Sequence, residues 1–162
     1  MDFEVHQQYP TPPEDVMAVY ADASFYESLG GGERIGPPDV LERTEAEGVV
    51  TMSIRYRFTA DLPSAAAKFV DRDKLTWVER TEYDLSSLIA RSTLTADEYD
   101  TLLTASATQT YRADDDGSIR RITGQVGIAV PFFGGKVERA IVDGLEEHLA
   151  DERTAALTRL GG

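Results

Sequence analysis

Two side chains stand out as able to hold or move a proton on what the residue pattern makes an interior surface. Counting by twos from Leu75 and Trp77 puts Glu79, Thr81 and Tyr83 on the same inward side of a strand. A carboxylate enclosed between Trp77 and Thr81 has its ionised form disfavoured, so its pKa rises and it could anchor or protonate a ligand. The opposing expectation is an exposed Glu79, because strand ends flare into solvent and glutamate is rarely buried. His148 follows Leu145 by three residues, close to the apolar face of a long helix. There it could close a pocket, serve as acid or base, or play a structural part. Gln109 and Tyr111 share an inward strand side with Ala107 and offer hydrogen bonds, whereas His6 falls outward.

Other chemistries lack their residues. Gly134-Gly135-Lys136 has the end of a phosphate loop, but Val137 stands where a metal-binding Ser or Thr is needed and the first glycine is missing. Gly30-Gly31-Gly32 to Gly36 lacks dinucleotide spacing. Asp114-Asp115-Asp116-Gly117 fails the calcium-loop pattern because Arg112 occupies its first ligand position, and it reads instead as a hairpin turn. Two distant histidines and no cysteine imply no metal site, no thiolate nucleophile and no disulfide framework. No Gly-x-Ser-x-Gly elbow is present. No cofactor and no second chain are implied.

The charge balance narrows the partners. Twenty-nine acidic residues against 16 basic ones give a net charge of −13, which repels phosphate backbones and anionic lipid surfaces. The basic residues form no patch, since adjacent Arg120 and Arg121 face opposite sides of a strand and the others are scattered. Nucleic-acid binding is therefore not expected. Thirteen Arg against three Lys read as the codon bias of a GC-rich genome, and salt adaptation is a second source for the acidity. The longest uncharged apolar stretch, Ile128 to Phe133, is too short to span a bilayer, and Met1-Asp2-Phe3-Glu4 does not open a signal peptide. A cytoplasmic protein without stable membrane insertion is the expectation.

The elements that must position these groups follow from periodicity. Phe3, Val5 and Tyr9 alternate with polar residues, so the chain opens on a strand, stopped by Pro10, Pro12 and Pro13. Pro-Pro-Glu-Asp after Thr11 starts a helix buried through Val16, Val19 and Tyr20; Phe25, Tyr26 and Leu29 mark a second, ended by glycines. From Pro37 the period becomes two, with strands expected at 39–46, 49–58, 75–83, 88–95, 102–112 and 119–130. Glu47-Gly48 and Asp114 to Gly117 supply turns. Residues 59–74 read as a helical turn or flap. A last helix over 136–160 has Val137, Ile141, Leu145, Leu149, Ala156 and Leu160 on one face. Gly144 inside it allows close approach to the sheet or a kink.

This order of elements, β-α-α-β6-α, resembles the helix-grip fold of the START-like (SRPBCC) superfamily, which includes lipid-transfer domains, birch-pollen-type allergens and polyketide cyclases. The resemblance covers residues 1–162 as one START-like domain. Within it, Phe3-Glu4-Val5 with Pro12-Pro13-Glu14-Asp15-Val16 looks like the superfamily's opening. The junction from Val130 to Glu138 is similar to a bacterial family of unknown function found largely in actinobacteria. The resemblance implies an α+β fold, a curved antiparallel sheet of about seven strands around a long C-terminal helix. It also implies a hydrophobic cavity between them and no universal catalytic residues.

The residues agree that space is left. Inward positions Leu103, Ala105, Ala107, Gln109 and Tyr111 on one strand, and Ile122, Gly124, Val126, Ile128 and Val130 on the next, include three that are small: Ala105, Ala107 and Gly124. The contrary expectation is that Trp77, Tyr56, Phe58 and Phe132 fill the gap. The candidate ligand-binding set is Tyr56, Trp77, Glu79, Tyr83, Ala105, Ala107, Gln109, Val126, Ile141, Leu145 and His148. Access is expected past the two short helices, the 59–74 segment and the start of the long helix. The first expectation is noncovalent binding of a small hydrophobic or amphipathic molecule, such as a lipid, sterol-like or polyketide-like compound. The rivals are a cyclase or dehydratase in which Glu79 or His148 moves protons, and a ligand-free structural or partner-binding domain.

Overall fold

The computed structural model describes residues 1–64, 66–129 and 134–161. The element order is β1 (Asp2–Tyr9), α1 (Pro13–Tyr20), α2 (Ala23–Glu27), β2 (Asp39–Ala46), β3 (Val49–Arg57), β4 (Thr76–Asp84), β5 (Ile89–Ala96), β6 (Leu103–Asp114), β7 (Gly117–Ile128) and α3 (Gly134–Gly161). The strands form one curved antiparallel sheet in the order β1-β7-β6-β5-β4-β3-β2. Consecutive strands from β2 to β7 pair through short connections, and β1 closes the far edge against β7. This is the helix-grip fold, and the strand bounds differ from the sequence expectation by two residues or fewer at every described end. The last strand stops at Ile128, and Val130, Pro131, Phe132 and Phe133 lie outside the described residues.

Strand parity decides which residues face α3. On β3, Val50, Met52, Ile54 and Tyr56 are buried and their odd-numbered neighbours face outward, the alternation that one wet face and one dry face require. The Glu47-Gly48 turn has positive φ at both residues, 53° and 78°, matching the twist of the two strands it joins. α1 begins after Pro12 with Pro13 in its first turn; Thr11 makes no cap, and its buried hydroxyl has no partner among the described residues. The 59–74 segment holds two 3₁₀ turns, Ala66–Lys68 and Arg72–Lys74.

Three fastenings set α3 across the sheet. Glu138 Oε1 accepts the Ile128 N–H at 2.9 Å, Gln7 Nε2 donates to the Leu149 carbonyl at 2.9 Å, and Arg153 donates through Nη2 to the Gln8 carbonyl at 2.7 Å. Gly144 lets the helix approach Arg34 in the loop after α2, rather than the sheet: a Cβ there would stand 3.2 Å from Arg34 Cδ. The helix continues through it without a break.

Gly124 has the tightest inward position on the sheet. A Cβ on it would fall 2.5 Å from the Ser106 carbonyl oxygen and 2.6 Å from the Phe3 ring, so Phe3 lies directly on the bare backbone. Gly124→Ala should destabilise the protein by about 1–3 kcal/mol, because backbone or ring must shift to admit the methyl group. Urea unfolding checks this; an unchanged midpoint would show that Phe3 moves aside freely.

Candidate functional site

The space between sheet and α3 is divided into a packed half and an open half. In the packed half, beneath α1 and α2, tyrosines crowd around one arginine. Arg120 is 2% exposed. Its Nε and Nη2 donate to Gln109 Oε1 at 3.2 and 2.9 Å, its Nη1 donates to Gln7 Oε1 at 3.1 Å, and its guanidinium lies 3.7 Å from the centre of the Tyr20 ring. The acceptors are amide oxygens, not a carboxylate. Tyr111 and Tyr9 hydroxyls donate to the same two oxygens at 2.7 and 2.8 Å, and the Tyr9 and Tyr20 hydroxyls meet at 2.7 Å. Burial pushes the Tyr111 phenol up to about 12, against the opposing pull of Arg120. Tyr26 and Tyr83 join hydroxyls at 3.0 Å and complete the filling.

Beside this cluster lies a buried ion pair. His148 Nε2 is 2.9 Å from Glu152 Oε1, one helical turn on, although the ring nitrogen is not aligned for a hydrogen bond. Burial works to lower the His148 pKa, but the charge and contact of Glu152 outweigh it, and the value is raised. Burial works to raise that of Glu152, and His148 together with Arg120 brings it below the usual range. The His148 ring stands edge-on to Tyr56, which in turn stacks with Trp77.

The open half is a cavity of about 100 Å³. Its sheet wall carries Trp77, Glu79, Ser92, Leu94, Ala105, Ala107, Gln109, Ile122 and Val126; α3 supplies Val137, Ile141, Leu145 and Leu149. Phe58, Leu62, Pro63 and Val70 line the end nearest the 59–74 segment, and among the described residues neither α1 nor α2 contributes to the lining. Among the inward sheet positions on this wall the polar side chains are Glu79, Ser92 and Gln109. Glu79 is half-buried, and Oε1 accepts from Thr81 Oγ1 at 3.1 Å and Ser92 Oγ at 3.5 Å. Burial raises its pKa, and the negative charge of Glu152 adds to the rise, against the Thr81 hydrogen bond.

Of the residues singled out from sequence, Trp77, Glu79, Ala105, Ala107, Gln109, Val126, Ile141 and Leu145 stand together on the cavity wall. Tyr56, Tyr83 and His148 lie in the packed core beside it. Tyr56 therefore does part of the filling, while Trp77 and Phe58 border space that stays open; Phe132 is outside the described residues. Sequence reasoning passed over Arg120, Gln7 and Glu152. Arg120 has the parity of Ile122, Gln7 that of Phe3 and Val5, and Glu152 follows His148 by four, so position alone marked all three. What hid them was the rule that charged and amide side chains stay outside.

A curved seven-stranded antiparallel sheet gripping a C-terminal helix, with apolar space between the two, makes this a helix-grip protein. Solved structures with the same fold include TTHA0849 from Thermus thermophilus (TM-score 0.69, 17% identity, covering 98% of this chain and 96% of that one). Ara h 8.0201 is similar at TM-score 0.60 and 13% identity over 100% and 99% of the two chains. The di-domain ARO/CYC StfQ from the steffimycin biosynthetic pathway is similar at TM-score 0.58 and 15% identity, covering 98% of this chain and 46% of that one, so this chain spans about half of its length. No curated protein matches the chain. The chain belongs to the family DUF2505, described as a protein of unknown function, whose model matches residues 4–160. Among the described residues no helix is long and apolar enough to cross a membrane, and no cluster of three metal-ligating side chains occurs.

The buried and half-buried titrating groups give a pH dependence of stability with a definite sign. With a raised pKa, Glu79 in the folded state keeps a proton that the unfolded chain has released above 4.5, so stability falls as pH rises through its folded value. His148, also raised, stabilises fully below its ordinary 6.5 and loses that contribution as pH climbs through its folded value. Glu152, lowered, stabilises above 4.5 and loses this as pH falls through its folded value. The urea midpoint should therefore fall as the pH is lowered below 4.5, where Glu152 loses its contribution, and fall again as the pH is raised above 4.5 and then 6.5, where Glu79 and His148 lose theirs. Glu79→Gln should remove part of the fall on raising the pH; an equal slope in variant and wild type would contradict a titrating Glu79.

Proposed function

We propose that this protein binds a small hydrophobic or amphipathic molecule, noncovalently, in the cavity between the sheet and α3. The observation that carries the reading is the wall itself: apolar side chains on both layers, a floor thinned by Ala105 and Ala107, and three polar groups on the sheet side. Similarity of fold to Ara h 8.0201 and to an ARO/CYC protein agrees with an interior shaped for apolar guests. A ligand burying about 300 Å² of apolar surface gains on the order of 7 kcal/mol at about 25 cal/mol per Å², from which the cost of association is subtracted. The volume, below the ~150 Å³ of a cavity that takes a benzene ring, admits only a short chain as it stands. A longer guest requires the 59–74 segment to give way.

A cyclase or dehydratase using the same cavity is the second reading, favoured by Glu79 on the wall and by the likeness to the ARO/CYC fold. Binding is the better supported of the two. Proton-transfer catalysis needs acid and base within reach of the guest, and of the two candidate groups only Glu79 lines the cavity.

Trp77 is the one tryptophan of the chain and lines the cavity, so it reports occupancy directly. Titration with the neutral dye N-phenyl-1-naphthylamine should give saturable energy transfer from Trp77 at one dye per chain. Ala105→Phe, which fills the floor, should weaken this at least tenfold with the far-UV spectrum unchanged. Absence of saturable transfer in the wild type, with Trp77 emission equally unmoved by a short alcohol such as butanol, would remove the binding reading.

A further inference from the structure

The cavity is graded along the strands. Its end nearest the 59–74 segment is bordered by the apolar Phe58, Leu62, Val70, Leu103 and Ile128 and by Tyr99, whose hydroxyl accepts the Asp71 N–H. Glu79 stands two residues further along β4 than Trp77, and Gln109 six residues further along β6 than Leu103, next to the Arg120 cluster. Glu79 and Gln109 are therefore at the inner end. Glu79 has one oxygen turned to Thr81 and Ser92, while Oε2 has no partner among the described residues. Gln109, 5% exposed, commits its Oε1 to Tyr111 and Arg120, and its NH₂ makes no hydrogen bond among the described residues. An amide donor and a carboxylate oxygen thus face the same space with no protein partner among the described residues, and neither is among the fully buried polar atoms, so both are open to a guest.

We propose that the cavity takes a neutral, hydroxylated amphiphile head-first, its hydroxyl donating to Glu79 and a second oxygen accepting from the Gln109 amide. This rests on the binding reading above and specifies the guest. Register separates the two groups by one strand and four residues, since Glu79 lies level with Leu94 and Ala105 while Gln109 lies level with Ala90, so two oxygens are needed. A carboxylate head has no cation to meet among the described wall residues. All three nitrogens of Arg120 are engaged and its face is covered by Tyr20, while His148 is held by Glu152 off the cavity wall. Its charge would instead join Glu79 and Glu152 in one enclosed region. An ammonium head could meet Glu79 but leaves the Gln109 donor unmatched.

The experiment is displacement of N-phenyl-1-naphthylamine from the full chain at neutral pH by 1,2-octanediol, octanoate and octylamine, equal in tail length. The diol should displace the dye at a concentration at least tenfold below the other two, and Glu79→Leu should cut that preference to threefold or less. Octanoate or octylamine matching the diol would overturn the head-group assignment while leaving a binding cavity. A wild type whose Trp77 emission responds to neither the dye nor butanol would bring down the binding reading itself. The wild-type ranking requires no variant to fold. Should Glu79→Leu prove unstable, Ser92→Ala, which relieves Glu79 Oε1 of one donor, should preserve the preference for the diol, and its loss would count against the proposal.

Discussion

Burying a guanidinium whose hydrogen-bond acceptors include no carboxylate costs free energy, and the fold depends on how Arg120 is satisfied. Each of the three nitrogens of the rigid fork donates once to one of two amide oxygens, and the flat face is covered by the Tyr20 ring. The two amides belong to Gln7 on β1 and Gln109 on β6, the strands on either side of β7, which carries the arginine itself. Gln7 then uses its NH₂ to hold the Leu149 carbonyl of α3, and Tyr20 ties in α1. One side chain therefore fixes the register of three strands, the seat of the long helix and the position of a short one.

The cavity is the counterpart of that cluster. Large aromatic side chains and a charged hub fill the half under α1 and α2, where the packing is dense and the hydrogen bonds are nearly complete. The other half receives alanines and a glycine from β6 and β7, and Phe3 covers Gly124 without filling the space beyond. Gln109 stands on the boundary. Its oxygen belongs to the hub and its NH₂ to the cavity, so the same residue that stabilises the closed half sets the polarity of the open one.

The fold was legible in the sequence because it is written in parity. Val49 to Phe58, Leu102 to Arg112 and the proline-marked helix starts each follow from sterics and burial without knowledge of distant contacts. The wall residues followed from the same counting. The hub was not legible, for a physical reason: hydropathy ranks arginine, glutamine and glutamate as exposed, and only the meeting of Arg120 with residues 113 and 11 positions away makes its burial tolerable. His148 was placed near the right face, with a structural part among its expected roles. Its partner Glu152 follows by one helical turn, and that pair turns the imidazole into the core and off the cavity wall.

On the binding reading, the space under α3 holds a guest and is not a packing defect. Native mass spectrometry of the protein purified from its own host, followed by denaturing extraction, tests this most directly. The protein should carry a noncovalently retained molecule, one per chain, neutral and hydroxylated with an apolar body. A chain that emerges empty, and stays empty after incubation with an extract of its host's neutral lipids, would contradict the binding reading.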